Sequence, residues 1–424
     1  MRGAAGRQRE KPESDHEDKS LSEITRPEGH QVNVKENMLQ IIRGQTPDGL
    51  LFVPRMDIWY NRNKVRRTLP EGMEDKSLLE ILESLGLGLH SVVPDFIRSA
   101  PEEDIYHRAL GFYNNPEFPY RADFSAVKFD VEKTETELKL RYYGAAGEIT
   151  TACRFGRALF DSGVSIPDIT EHAIKSPEDY PALADILSKV RILPNPAGYQ
   201  AYKNRVGERG VAVAFASLAC GPMQHIMRDL RKYEEFCFDL FDEVPGLQEL
   251  AESLAVLYDG IIDSTARSSA DVVLFGANYD DSVTSPPFFD EHITPWLNRA
   301  ADKLHGAGKY LLTHTDGENK GLMPSLGKCR FDIADSVCPA PMTKVPLQEY
   351  RDAFGKKITI WGGVPSNLML PACCSEEKFR QFVKELIQSC APYNNLILSV
   401  ADTMPPDADF GRIQYLVEMC RGTY

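Results

Sequence analysis

The sequence predicts an α/β fold: a (β/α)8 TIM barrel of parallel strands, with a small antiparallel β insertion and a disordered N-terminal tail. Three observations carry this expectation. From Gly210 onward, short apolar runs alternate with amphipathic stretches of helical length, the rhythm of a parallel sheet. Six such runs, another near Leu51 and room for one more suggest eight strands. Polar residues that can bind a metal or move a proton stand directly after several of the runs, where chemistry collects in parallel α/β folds. A doubly wound open sheet is the structural rival.

The 424 residues suffice for one large barrel with extensions or for two ordinary domains. Hydrophobic residues make up 42% and charged residues 26%, so a sizeable core can be buried. A net charge of -14 argues against non-specific nucleic-acid binding, which needs a basic footprint. The nine cysteines contain no CxxC pair, a pattern that suits reduced thiols in the cytoplasm. No apolar run approaches the ~20 residues of a membrane span, and the charged N-terminus lacks a signal-peptide core. A cytoplasmic protein without membrane contact is expected.

Residues 1–34 are polar and mixed in charge and read as a disordered tail. The folded domain is expected over 35–424, opening with a short helix at Lys35–Leu39. Leu51–Asp57 reads as a first strand ending in Arg55 and Asp57. Ser77–Leu85 has the three- and four-residue apolar spacing of a helix. Between about 124 and 155, alternating or β-rich segments joined by polar turns predict the antiparallel insertion. Glu171–Leu187 reads as a helix, followed by a Pro-rich connector at Leu193–Pro196. Strands then follow at Val211–Phe215, Ala270–Gly276, Tyr310–His314, Phe331–Asp335, Lys357–Trp361 and Leu396–Val400. Helices lie between them, and a last one covers Gly411–Met419.

The chain's chemistry is expected to centre on His314 and Asp316, at the end of the Tyr310 strand. His-x-Asp places two side chains on one side of an extended segment. With Asp402 from the last strand they make a three-ligand set with an open position, suited to catalytic zinc or, with two carboxylates, to a harder metal. The same acids could instead hold His314 as a general acid or base, or His314 could be a hydrogen-bonded structural residue. Asp57, Asp281 and Glu318 are the other candidate catalytic groups. Arg55, Asn278, Tyr279, Asp280, Trp361 and Cys338 are candidate substrate contacts. Arg55 can grip a carboxylate or phosphate, and Trp361 can floor a pocket for a flat ligand. The bland readings are an Asx turn at 278–281, an ion pair at Arg55 and core roles for Trp361 and Cys338.

Several segments, in order along the chain from about Lys35, resemble the uroporphyrinogen decarboxylase superfamily. Arg43-Gly44-Gln45-Thr46-Pro47-Asp48 is similar to the family's "RGExPDR" turn, and Cys220-Gly221-Pro222-Met223 to its "GPF" segment. Asp280-Asp281 with Ser285-Pro286 resembles an acidic strand end followed by "SP". His314-Thr315-Asp316-Gly317 lies where the family has "HxCG", and Trp361-Gly362-Gly363-Val364 where it has "GNVD". Asp402-Thr403-Met404-Pro405-Pro406-Asp407 lies where its methyltransferase members have "CGIPPDT". The resemblance implies a barrel with its site at the C-terminal mouth.

The departures bear on activity. The decarboxylases' "MRQAGRY" segment is replaced by Pro54-Arg55-Met56-Asp57-Ile58-Trp59-Tyr60, which keeps one Arg and adds an acid, and no "FSDI" segment is found. The methyltransferase branch binds zinc through His, Cys and Cys; here Asp316 and Asp402 stand at both Cys positions. The resemblance therefore implies a metal-assisted methyltransferase or demethylase, with a divalent metal such as zinc and a corrinoid (cobalamin) supplied by a partner protein. Its small-molecule methyl donor or acceptor is unspecified, and a homodimer is left open. The alternatives are a decarboxylase of a tetrapyrrole or other acid, and a non-catalytic binding barrel.

Overall fold

The computed structural model describes residues 33–91, 105–154 and 167–423. The tail expected over 1–34 lies outside these residues except for its last two. Asn33 caps and Val34 opens the first helix, Val34–Ile42, with the Asn33 side chain accepting the Glu36 amide. Folded chain thus begins slightly before Lys35.

Two antiparallel units precede the main sheet. Strands β1 (Tyr120–Asp123) and β6 (Arg191–Pro194) form a pair. Strands β2 (Lys128–Lys133), β3 (Glu137–Tyr143), β4 (Glu148–Arg154) and β5 (Asp168–Glu171) form a four-stranded sheet in that order. β3 alternates buried and exposed residues, one face on the core and one in solvent. Two expectations are corrected here. Only Asp179–Leu187 of the segment from Glu171 is helical, because Glu171 ends β5. The Pro-rich connector is strand β6, with Pro194 tolerated at the end of a two-stranded pair.

The main sheet is parallel and takes its strands in sequence order: β7 (Val213–Ser217), β8 (Val272–Ala277), β9 (Tyr310–His314), β10 (Ile333–Val337), β11 (Thr359–Val364) and β12 (Leu396–Val400). Every residue of β8, β10, β11 and β12 is buried, as expected of parallel strands covered by helices. The helix Leu247–Arg267 packs inward through residues such as Leu250, Leu254, Leu257 and Ile261, at three- and four-residue spacing. Ser77 and Glu80 form a capping box at the start of Leu78–Ser84, and Asp409 caps the last helix, Phe410–Arg421.

At the β12 edge the Leu51 segment contributes one parallel bridge, Phe52 to Leu398, rather than a full strand. Pro54 offers no N–H to continue a ladder, and Asp57 already opens the helix Asp57–Arg66. At the β7 edge Val213 donates to the carbonyl of Ser91. Among the described residues no backbone hydrogen bond joins these two edge segments. The architecture seen among the described residues is a parallel α/β sheet with helices and an antiparallel insertion.

Candidate functional site

The site is built where β9, β10 and β12 end. His314 and Asp335 are register partners on adjacent parallel strands, so their side chains meet. His314 Nδ1 lies 2.6 Å from Asp335 Oδ2, and because a carboxylate only accepts, Nδ1 donates. A bulge helps to aim Asp335: the β10–β11 pairing steps from Asp335 to Val337, leaving Ser336 with φ of 62°. The Ser336 hydroxyl accepts the backbone N–H of Asp402, itself left-handed at φ 56°. One irregularity thus turns Asp335 toward His314 and fixes the loop that carries Asp402.

On its other side, His314 Nε2 lies 3.5 Å from Asp402 Oδ1. The same oxygen is 3.5 Å from Arg55 Nη1, and Arg55 also grips Asp57 at 3.0 Å through Nε. Arg55 is held by its backbone, whose carbonyl accepts Met404 N–H at 2.8 Å. Of the sequence candidates, His314, Asp402, Arg55 and Asp57 therefore come together. Asp316 stands within electrostatic reach of His314, Asp402 and Asp335.

Burial and charge act against each other in this group. Burial disfavours the charged form of His314, but its hydrogen bond to Asp335 and the nearby acids raise its pKa overall. Asp335 is likewise desolvated, yet the His314 and His90 contacts hold it well below the usual carboxylate range. Asp316 is pushed up by burial; His314 opposes this, while Asp402 and Asp335 add to it. Burial, with Asp316 and Asp402 close by, lifts the Cys338 thiol to about 12, so Cys338 is a protonated, buried group.

The remaining candidates serve the architecture. The loops after β8 and β9 zip together: Asn278, Tyr279 and Asp281 donate backbone N–H groups to the carbonyls of His314, Asp316 and Glu318. Asp280 accepts the Ser282 amide at 2.9 Å and the Glu318 amide at 3.2 Å, an Asx-type turn. Asp281 accepts the Gly321 amide, and Glu318 accepts those of Lys320 and Lys344. The Tyr279 side chain points inward, fully buried, with its hydroxyl 2.7 Å from Thr313 Oγ1. Trp361 is buried and donates from Nε1 to the Val53 carbonyl at 3.0 Å. Gly317 lets the zipped loops approach: a Cβ there would sit 2.3 Å from the Tyr279 carbonyl oxygen, at φ +130°.

Two members of the centre, Asp335 and His90, are assigned no role by the sequence. Asp335 lies near a predicted strand end, but that strand was expected to stop there, whereas β10 runs two residues further. His90 lies outside every predicted strand, and no local signal marks it.

Two atoms each ~2.1 Å from a tetrahedral zinc stand about 3.4 Å apart, close to the 3.5 Å between His314 Nε2 and Asp402 Oδ1. The second nitrogen of His314 is anchored on a carboxylate, as metal-bound histidines generally are. Among the described residues no group of three or more His, Cys, Asp or Glu side chains is gathered as a metal cluster, so Asp316 is not drawn in beside the other two. The donor types and the spacing of His314 and Asp402 suit a divalent cation, while Asp316 stands within electrostatic reach of both.

No curated protein matches the sequence of this chain. Among solved structures, a methyltransferase from Methanosarcina mazei superposes with a TM-score of 0.50 at 13% identity, covering 92% of this chain and 98% of that one. This is a likeness of fold. The uroporphyrinogen decarboxylase (URO-D) family model matches residues 157–423, more than half of the sequence and all of the parallel sheet. The chain belongs to the uroporphyrinogen decarboxylase family.

Proposed function

We propose that this chain is a metal-assisted methyltransferase or demethylase acting on an oxygen- or nitrogen-bearing small molecule together with a corrinoid protein. One observation carries the reading. With Nδ1–H given to Asp335, His314 turns Nε2 toward the Asp402 carboxylate at 3.5 Å. A lone pair facing a carboxylate oxygen is repulsive unless a cation, metal ion or proton, sits between them. A divalent metal held by His314, Asp316 and Asp402 supplies Lewis acidity, harder than that of a thiolate-rich site.

The chain's own residues prepare that position. Asp335 sets which nitrogen of His314 faces it. Arg55 steadies Asp402 while balancing part of the negative charge of Asp57 and Asp402. The corrinoid partner rests on the resemblance of His314-Thr315-Asp316-Gly317 and Asp402–Asp407 to the methyltransferase branch.

A second reading, a carboxy-lyase, is favoured by the raised basicity of His314: an imidazolium at Nε2 can deliver a proton to a carbanion. Against it, the guanidinium brought to this centre, Arg55, is already engaged by Asp57 and Asp402, which leaves little cation for a polycarboxylated substrate. Elemental analysis of protein purified without added metal, repeated on His314→Ala, separates the two. Stoichiometric metal that is lost in the variant supports the first reading, and metal-free wild type moves the weight to the second.

A further inference from the structure

His90 lies on the segment that runs beside β7, where Leu89 donates to the Arg209 carbonyl at 2.8 Å and Val213 to the Ser91 carbonyl at 3.1 Å. From there its side chain, 5% exposed, reaches strands at the other end of the sheet. Its ring lies 4.4 Å from that of Trp361 on β11, tilted by 54°. Its Nε2 lies 3.3 Å from Asp335 Oδ1. The two oxygens of Asp335 are therefore divided between two imidazoles, Oδ1 to His90 and Oδ2 to His314.

This division has a mechanical effect. The terminal torsion of an Asp side chain is broad, so a carboxylate with one partner can swivel. A donor on each oxygen fixes its plane. The Asp335 side chain is 3% exposed, so little water reaches it to replace a lost partner.

We infer that His90 is a positioning residue: it fixes the plane of the Asp335 carboxylate and, through it, holds His314 with its proton on Nδ1 and Nε2 turned to Asp402. Trp361 acts as the backstop. It is anchored on the Val53 carbonyl and keeps the His90 ring from rotating away from Asp335. The inference deepens the proposed function and rests on His314 being its centre, but not on a metal being bound.

The test uses the full chain with ¹⁵N-labelled histidines. His90→Phe keeps a ring against Trp361 and removes the donor; His90→Gln keeps a donor. The His314 ring signals, assigned by their loss in His314→Gln, are recorded with the ring neutral and no metal added. Wild type is expected to hold the proton on Nδ1. His90→Phe should spread it over both nitrogens, and His90→Gln should restore the wild-type pattern. In parallel, zinc competition against a chromophoric chelator should show roughly tenfold weaker binding in His90→Phe and near-wild-type binding in His90→Gln. If the Phe variant does not fold, His90→Asn, too short to reach Asp335, takes its place. An unchanged His314 spectrum in the donor-free variant overturns the inference. Spectra that respond to His90 in a protein that binds no zinc would uphold it and remove the metal from the proposed function.

Discussion

His314 Nδ1 and Asp335 Oδ2 stand 2.6 Å apart between paired strands, one nearly buried and the other almost fully so. Their contact follows from the register that opposes them. Asp335→Asn removes the charge and allows an amide N–H to face Nδ1. Zinc affinity should fall by about 10- to 100-fold, read by chelator competition. Asp335→Ala should in addition cost roughly 3–5 kcal/mol in urea unfolding, because two imidazoles lose their buried partner.

Arg55 offers the opposite sign. Its guanidinium repels a divalent cation placed beside Asp402. Arg55→Gln should therefore tighten zinc binding by about tenfold or more, since charges a few ångströms apart interact by several kcal/mol near a protein surface. Weaker zinc binding in this variant would count against a metal at Asp402. In the carboxy-lyase reading the same variant should instead weaken binding of a carboxylated ligand.

Gly317→Ala tests the zipped loops. The added methyl meets the Tyr279 carbonyl oxygen in a backbone conformation that L-residues avoid. A loss of roughly 2 kcal/mol or more is expected in thermal or urea unfolding. Gly306→Ala is the control: it ends the helix Thr294–Gly306 with open space around it, and should be neutral or stabilising by up to ~1 kcal/mol.

His107 governs part of the acid limb. It stacks on Phe124 at 3.5 Å, its Nδ1 is 3.0 Å from the Tyr142 hydroxyl, and burial lowers its pKa from 6.5 to about 3. Between these values the unfolded chain binds a proton that the folded chain refuses. Stability therefore falls as pH drops through this window, by about 1.4 kcal/mol per pH unit from this group. Urea unfolding from pH 7 to 4 should show that slope in wild type, and His107→Phe should reduce it by one proton's worth.

Much of the parallel sheet was legible. The limits of β9 and β12 match the sequence reading, because each is an apolar run closed by polar turn residues. The first strand failed at Pro54, where apolar residues are not enough to sustain a ladder. β5 and β6 were missed because they are short and mostly not buried, with little hydrophobic pattern to read. At the site, residues following strand ends were easy to nominate, yet Asn278–Asp281 and Glu318 hold loops together. Asp335 depends on a bulge, and His90 on an approach between segments 245 residues apart, and neither leaves a periodic trace.

The contacts at the β12 edge join early and late parts of the chain: Phe52 bridges Leu398, Thr423 Oγ1 accepts the Leu50 amide, and Arg55 meets Asp402. During synthesis the segment around Leu51 therefore lacks these partners until residues 398–423 have been made. A site assembled across that seam is incomplete in every shorter nascent chain.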